Sequence, residues 1–222
     1  MWYKCHSDME LFLIRHGESE GNIRASDGPD PALTELGRRQ AEAVAHRISQ
    51  TGFVAVYSSP LKRALETAHP IALAAGLPIS ILVDLSETWG SGFRGMALSE
   101  IRRRFALVQV PEDMPETNWW PNLDEYEPVA YERAGGVEQY LRQAHEHTDD
   151  RICAVSHGTF GAILICRLLG LPPAGYTRFS QSNCCISMLE LQPGTSKLRW
   201  LNDVSHLPPE LGGPRRYDPR PA

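Results

Sequence analysis

The chain has 222 residues, 42% hydrophobic and 22% charged, with a formal net charge of −5. That balance excludes a wholly disordered chain and a collagen-like or disulfide-scaffold protein, and it argues against nucleic acid as a partner, which selects for basic surfaces. It leaves room for one α/β domain, and for an anionic substrate held in a locally positive pocket. Cys5, Cys153, Cys166, Cys184 and Cys185 form an odd set with no Cys-x-x-Cys pair. This favours reduced thiols in a cytoplasmic protein over a disulfide or zinc site. Residues 1–8 carry no apolar core of the signal-peptide kind, and the longest apolar candidate, Ala162 to Leu171, is broken by Arg167. No membrane association is expected.

Glu10 to Arg15 is a short apolar run that predicts a buried strand ending in His16-Gly17. Thr34 is placed to cap a helix from Glu35 to about Gln50. Phe53 to Ser58 predicts a second strand. Ser59-Pro60 then has the pattern of a cap and a first-turn proline for a helix that stops at Gly76. Ile79 to Val83 predicts a third strand, and Ser99 the start of a helix through Phe105. Leu107 to Arg133, with Pro111, Pro115, Pro121 and Pro128, is expected to be an irregular insertion or lid. A helix over Val137 to Glu146, a strand over Arg151 to Ser156 and a helix over Thr159 to Leu169 follow. Cys185 to Leu191 and Leu198 to Leu201 predict a terminal strand pair. This is one domain over 1–207, with the lid at 107–133 and a flexible proline-rich tail at 208–222.

Alternating strands and helices point to an α/β fold, a mainly parallel sheet covered on both faces. Ligands bind such sheets beyond the carboxyl ends of the strands. Here those ends carry Arg15-His16-Gly17, Ser58 to Arg63, and Ser156-His157-Gly158. Two arginines and two histidines make a donor-rich pocket suited to phosphate oxygens. A neutral imidazole can attack phosphorus covalently, and fixed cations can stabilise the equatorial oxygens. Asn22 adds a neutral donor. Glu87, just past the third strand, is the best candidate for an acid that protonates the leaving oxygen. Taken singly, each residue has a structural explanation: a polar rim for Arg15-His16, an ion pair of Arg63 with Glu66, a core histidine at His157, a cap at Glu87. His145 and His147, two apart on an expected helix, point to different faces and do not make a zinc site.

Leu13 to Asn22, with its Arg15-His16-Gly17 triplet, closely resembles the signature of the histidine phosphatase superfamily, in its phosphoglycerate mutase-like branch. The resemblance continues through Leu33 to Gly37, Ser58 to Ala68, Leu85 to Glu87 and Ser156 to Gly158, and ends near Asn202 to Leu207. It implies a three-layer α/β/α sandwich and a phosphohistidine intermediate on His16. It also implies a phosphate cradle of Arg15, Arg63, His157 and Gly158 assisted by Asn22, Glu87 as proton donor, and neither metal nor cofactor. Ser91 stands where the family usually has glycine, between Gly90 and Gly92, so the turn after Glu87 is expected to differ in shape. The family's Gly-Glu-Ser before the later helix is matched only loosely, by Glu127 and Arg133.

The residues are shared by phosphatases and mutases. Gly21 stands where the glycolytic mutases usually have tryptophan, and the expected lid holds seven acids against one base, Arg133. Opposed charge disfavours a highly anionic substrate. The expectation is a metal-independent phosphatase of small phosphomonoesters. The alternatives are a phosphoglycerate mutase-type phosphotransferase and, further off, a non-catalytic phospho-ligand binder. Trp119 and Trp120 would favour an apolar or aromatic leaving group if they face the cleft, and otherwise pack on the core. Arg94 and Arg102 to Arg104 would reverse the charge argument only if they too face the cleft.

Overall fold

A computed structural model describes residues 8–26, 28, 30–88, 90, 94–120, 124–145, 148–173 and 179–213. Seven strands form one sheet: β1 (Met9–Arg15), β2 (Ala55–Ser58), β3 (Ile79–Ile81), β4 (Val108–Gln109), β5 (Arg151–Ser156), β6 (Ile186–Gln192) and β7 (Thr195–Asp203). Their spatial order is β4-β3-β2-β5-β1-β6-β7. The first five run parallel, while β6 and β7 close one edge as the expected antiparallel pair.

Alternating residues along the central strands serve two cores. Phe12, Ile14, Cys153 and Val155 face helices α1 (Glu35–Ile48) and α2 (Lys62–Ala75), with α3 (Leu98–Arg104) beside them. Leu11, Leu13, Ile152 and Ala154 face α4 (Glu127–Ala144) and α5 (Gly158–Leu168). Period-two burial on both faces is what a parallel sheet under two helical layers requires. The three-layer α/β/α sandwich is therefore as expected.

Several boundaries are corrected. Thr34 does cap α1, its side chain accepting from the Gly37 amide. Ser59 does not cap α2, which begins at Lys62 behind Leu61. The Asp30 carboxylate takes the Lys62 amide instead, leaving the Ser59 hydroxyl to a histidine. The helix expected from Val137 begins at Glu127, so the last part of the supposed insertion is regular structure. Its described part before that helix is not loose. β4 extends the sheet within it, and Trp119 and Trp120 are buried, donating their indole N–H groups to the carbonyls of Met96 and Gly90. Both rings therefore pack on the core. Arg102, Arg103 and Arg104 form an exposed face of α3.

Packed structure also continues past Leu207. Pro209–Leu211 form a 3-10 turn, Leu211 is buried, and its carbonyl accepts from Gln40 on α1. Residues 214–222, Cys5, His147 and the Ser91 to Phe93 part of the turn after Glu87 lie outside the described residues. Cys153, Cys166, Cys184 and Cys185 are all buried. Among the described residues no helix is long and apolar enough to cross a membrane.

Candidate active site

The strand order places β5 between β1 and β2, so three motif-bearing carboxyl ends lie side by side. Arg15 is in register with Ser156, and Ser58 with Val155. A 3-10 turn at Val83–Leu85 follows β3 and delivers Ser86 and Glu87 to the same edge.

Close backbone approach sets this edge. A Cβ on Gly17 would lie 2.5 Å from the Gly37 carbonyl oxygen, and one on Gly37 would lie 1.9 Å from the Glu18 oxygen. The two glycines let the loop after β1 lie directly on the first turn of α1. The Gly17 amide donates to the Thr67 hydroxyl on α2, and the Glu18 amide to Gln40 on α1.

His16 sits buried in this cradle, its Nδ1 2.7 Å from the Gly17 carbonyl oxygen. A carbonyl only accepts, so Nδ1 carries the proton and Nε2 keeps its lone pair. That lone pair accepts from Arg63 Nε at 3.2 Å. Burial, Arg63 and Arg15, in that order, hold the imidazole well below its ordinary range, so it is neutral at physiological pH. A neutral imidazole with its free pair on Nε2 is the protonation state a nucleophile needs.

His157 lies beside it, ring centroids 5.1 Å apart. Its Nε2 is 2.9 Å from Ser59 Oγ, whereas its Nδ1 is buried with no protein partner. Burial, then Arg63 and His16, push His157 down as well. Arg15 donates from one terminal nitrogen to the Gln181 carbonyl at 2.5 Å, and its Nε is buried and unpaired. A Cβ on Gly158 would lie 3.2 Å from that Nε, so the glycine makes room for the guanidinium. Burial is the main influence on both Arg15 and Arg63, lowering each. Two desolvated guanidinium groups and orphaned donors form a pocket that an anion would stabilise.

Asn22 lies at the exposed mouth. Its Oδ1 accepts from the Ser19 amide and from Asn183 Nδ2, which turns its NH2 end outward as a donor. Glu87 is placed at the first turn of α5. Its Oε1 accepts from Phe160 and Thr88 amides, each at 2.9 Å, and its Oε2 from the Thr159 amide at 3.2 Å. Its charge acts on both Arg15 and Arg63. All the expected residues thus gather at one sheet edge.

Other contributors were not foreseen, save Arg133, which the family resemblance names with Glu127. Asp30 approaches Arg63 to 3.8 Å from the side away from His16. Asn183 donates to the His16 carbonyl as well as to Asn22. Asn202 accepts the Ser182 amide and so anchors the loop that carries Asn183. Arg133 forks onto Glu125, and Glu125 rather than Glu127 is the carboxylate at that fork. An acidic residue before a helical arginine was the available signal, but its register was not readable. Among the described residues, no three His, Cys, Asp or Glu side chains gather as metal ligands.

Known proteins are similar to this chain in sequence and fold. The family model described as the histidine phosphatase superfamily (branch 1) matches residues 11–204. Phosphoserine phosphatase 1 of Hydrogenobacter thermophilus is 29% identical over 206 residues, spanning 90% of this chain and 94% of the relative. The mitochondrial serine/threonine-protein phosphatase PGAM5 of Rattus norvegicus is 30% identical, over 94% of this chain and 67% of its own. A mutant phosphoserine phosphatase from Entamoeba histolytica, solved in complex with phosphoserine, superposes with a TM-score of 0.67 at 28% identity, covering 90% of this chain and 99% of that one.

Proposed function

The chain belongs to branch 1 of the histidine phosphatase superfamily, and from that premise we propose that it hydrolyses small phosphomonoesters through a phosphohistidine on His16, without a metal. The observation that carries this is the His16 tautomer: Nδ1–H fixed on the Gly17 carbonyl and the Nε2 pair held toward Arg63.

Substrate binding begins with an exchange. The phosphoryl oxygens draw the Arg63 guanidinium off Nε2, and Arg15, Arg63, His157 Nδ1 and the Gly158 amide surround them, with Asn22 at the mouth. Nε2 then attacks phosphorus in line as the P–O bond to the leaving group breaks. Arginines supply the charge neutralisation that phosphoryl transfer needs. Glu87 protonates the departing oxygen. Its Oε1 already takes two amides and its Oε2 only one, so Oε2 is the oxygen that carries the proton. In the second half Glu87 takes a proton from water, the water oxygen bonds to phosphorus, and the P–N bond breaks to release phosphate.

Relatives named phosphoserine phosphatase support a small phosphorylated substrate. We assign the described residues between 9 and 213 to one catalytic domain, with the 107–120 segment, anchored by the buried Met114, Trp119 and Trp120, as its wall, and the cytoplasm as its compartment. The test is hydrolysis of para-nitrophenyl phosphate in excess EDTA at about pH 6, wild type beside His16→Ala. Turnover that survives EDTA and vanishes in the variant is expected. Turnover abolished by EDTA and restored by a divalent cation would overturn the metal-independent reading. Retention by His16→Ala would overturn the nucleophile.

A further inference from the structure

Arg133 is a buried cation that the mechanism does not use. It rises from α4, far in sequence from the strand-end motifs, yet every one of its five N–H groups is directed. Nε and one terminal nitrogen fork onto the Glu125 carboxylate at 2.8 and 2.6 Å. The other terminal nitrogen donates to the carbonyls of Asp84 and Ser86, at 2.6 and 3.0 Å. The remaining N–H reaches the Glu87 carbonyl at 3.4 Å. Its guanidinium also stacks 3.8 Å from the centroid of the Phe160 ring.

These contacts share one feature. Asp84 to Glu87 is the turn that carries the Glu87 side chain, and Phe160 is the residue whose amide grips the Glu87 carboxylate. Arg133 therefore reaches Glu87 from both ends: the turn that carries it through the carbonyls of Asp84, Ser86 and Glu87 itself, and its carboxylate through the residue that orients it. A buried ion pair gains little stability over an apolar pair of the same shape. Planar, five-donor geometry is what this site uses, and lysine cannot reproduce it.

Resting on Glu87 as the proton donor, we infer that Arg133, locked by Glu125, is a positioning residue that aims the Glu87 carboxyl at the leaving-group oxygen. Losing it lets the turn relax and Glu87 drift on the first turn of α5, while the phosphate cradle of Arg15, Arg63 and His157 stays in place. The consequence is selective. A leaving group that departs as a stable anion needs no proton, whereas an alkoxide does.

The experiment compares kcat/KM of wild type, Arg133→Lys, Glu125→Gln, Glu87→Gln and the Arg133→Lys/Glu87→Gln pair, on para-nitrophenyl phosphate and on an alkyl phosphate. Both single changes of the Arg133–Glu125 fork are expected to cost about 10-fold to 100-fold on the alkyl phosphate, part of the roughly 100-fold to 10,000-fold that general acid catalysis supplies, and less than about 3-fold on the nitrophenyl ester. The double variant should lose no more than Glu87→Gln alone, since both act through one proton transfer. Equal losses on both substrates, or additive losses in the double variant, would overturn the inference while a selective Glu87→Gln leaves the acid assignment standing. An unselective Glu87→Gln would instead remove the acid assignment, and the inference with it. Glu125→Gln, which keeps the shape of the fork, carries the test should Arg133→Lys fail to fold.

Discussion

Arg63 donates its Nε–H to Nε2 of His16 at 3.2 Å, so the group that activates phosphate also guards the lone pair that attacks it. The contact has two effects. It adds to burial, the larger influence, in keeping His16 neutral, because a cation beside an imidazole disfavours a second charge, and it leaves the ring aimed along the path a phosphorus atom would take. Arg63→Ala should therefore lower kcat/KM by about 100-fold or more, the usual scale for losing a donor to the transition-state oxygens. It should also raise the His16 pKa, moving the acid limb of the pH–rate profile upward. Nitrogen-15 NMR of the His16 ring in the two proteins measures the shift. An unchanged or lowered pKa would show that Arg63 does not control His16.

Asp30 shows the opposite balance. Burial pushes its carboxyl up to about 6, against the lowering influence of the Lys62 amide, Arg63 and Lys62, with Glu66 adding to the rise. A raised folded-state pKa means stability that is fully present below the ordinary carboxylate range and is lost as pH rises through about 6. Asp30→Asn removes the ionisation and should stabilise the fold at pH above about 7, by up to roughly 3 kcal/mol, with the gain vanishing in acid. It should also lower kcat/KM, since Arg63 loses the carboxylate that holds its far side. Urea unfolding at several pH values, with assays on the same preparations, tests both signs.

Gly37 has no side-chain role and is nonetheless critical. Alanine there would place Cβ 1.9 Å from the Glu18 oxygen, and the contact is backbone, which cannot swing away. Gly37→Ala should cost about 3 kcal/mol or more, beyond ordinary overpacking. It should lose activity together with stability, because the displaced loop carries His16. Gly76→Ala is the contrast. Gly76 has φ +67 and open space, so it should show strain without loss of the site.

Arg103 lies on the exposed face of α3. Arg103→Ala should leave kcat/KM within about 2-fold on every substrate, as surface changes away from a site usually do. A large loss confined to highly anionic esters would place that helix at the cleft mouth.

The fold and the reacting groups were legible because they are local. A strand and the two or three residues after it are contiguous, so His16, His157 and Arg15 announced themselves beside apolar runs. Glu87 was readable for the same reason. What escaped depends on contacts between distant segments. Arg133 meets Asp84, Ser86 and Glu87 across 46 to 49 residues. The local signal, an acidic residue before a helical arginine, gave neither its partner Glu125 nor its contacts with the turn. Ser59 had a cap's sequence, but His157, just past β5, and a better-placed carboxylate at Asp30 changed its partner. Trp119 and Trp120 were ambiguous because large aromatics serve cores and clefts alike. β4 is two residues long and exists only through its neighbour β3.

The central claim is that phosphate passes through Nε2 of His16. Rapid quench of the enzyme with a radiolabelled phosphomonoester, followed by peptide mapping, addresses it directly. A label on the peptide containing His16, stable in alkali and lost in acid, is the predicted result, with none in His16→Ala. An acid-stable label, a label on another residue, or turnover with no labelled enzyme at any quench time would contradict it.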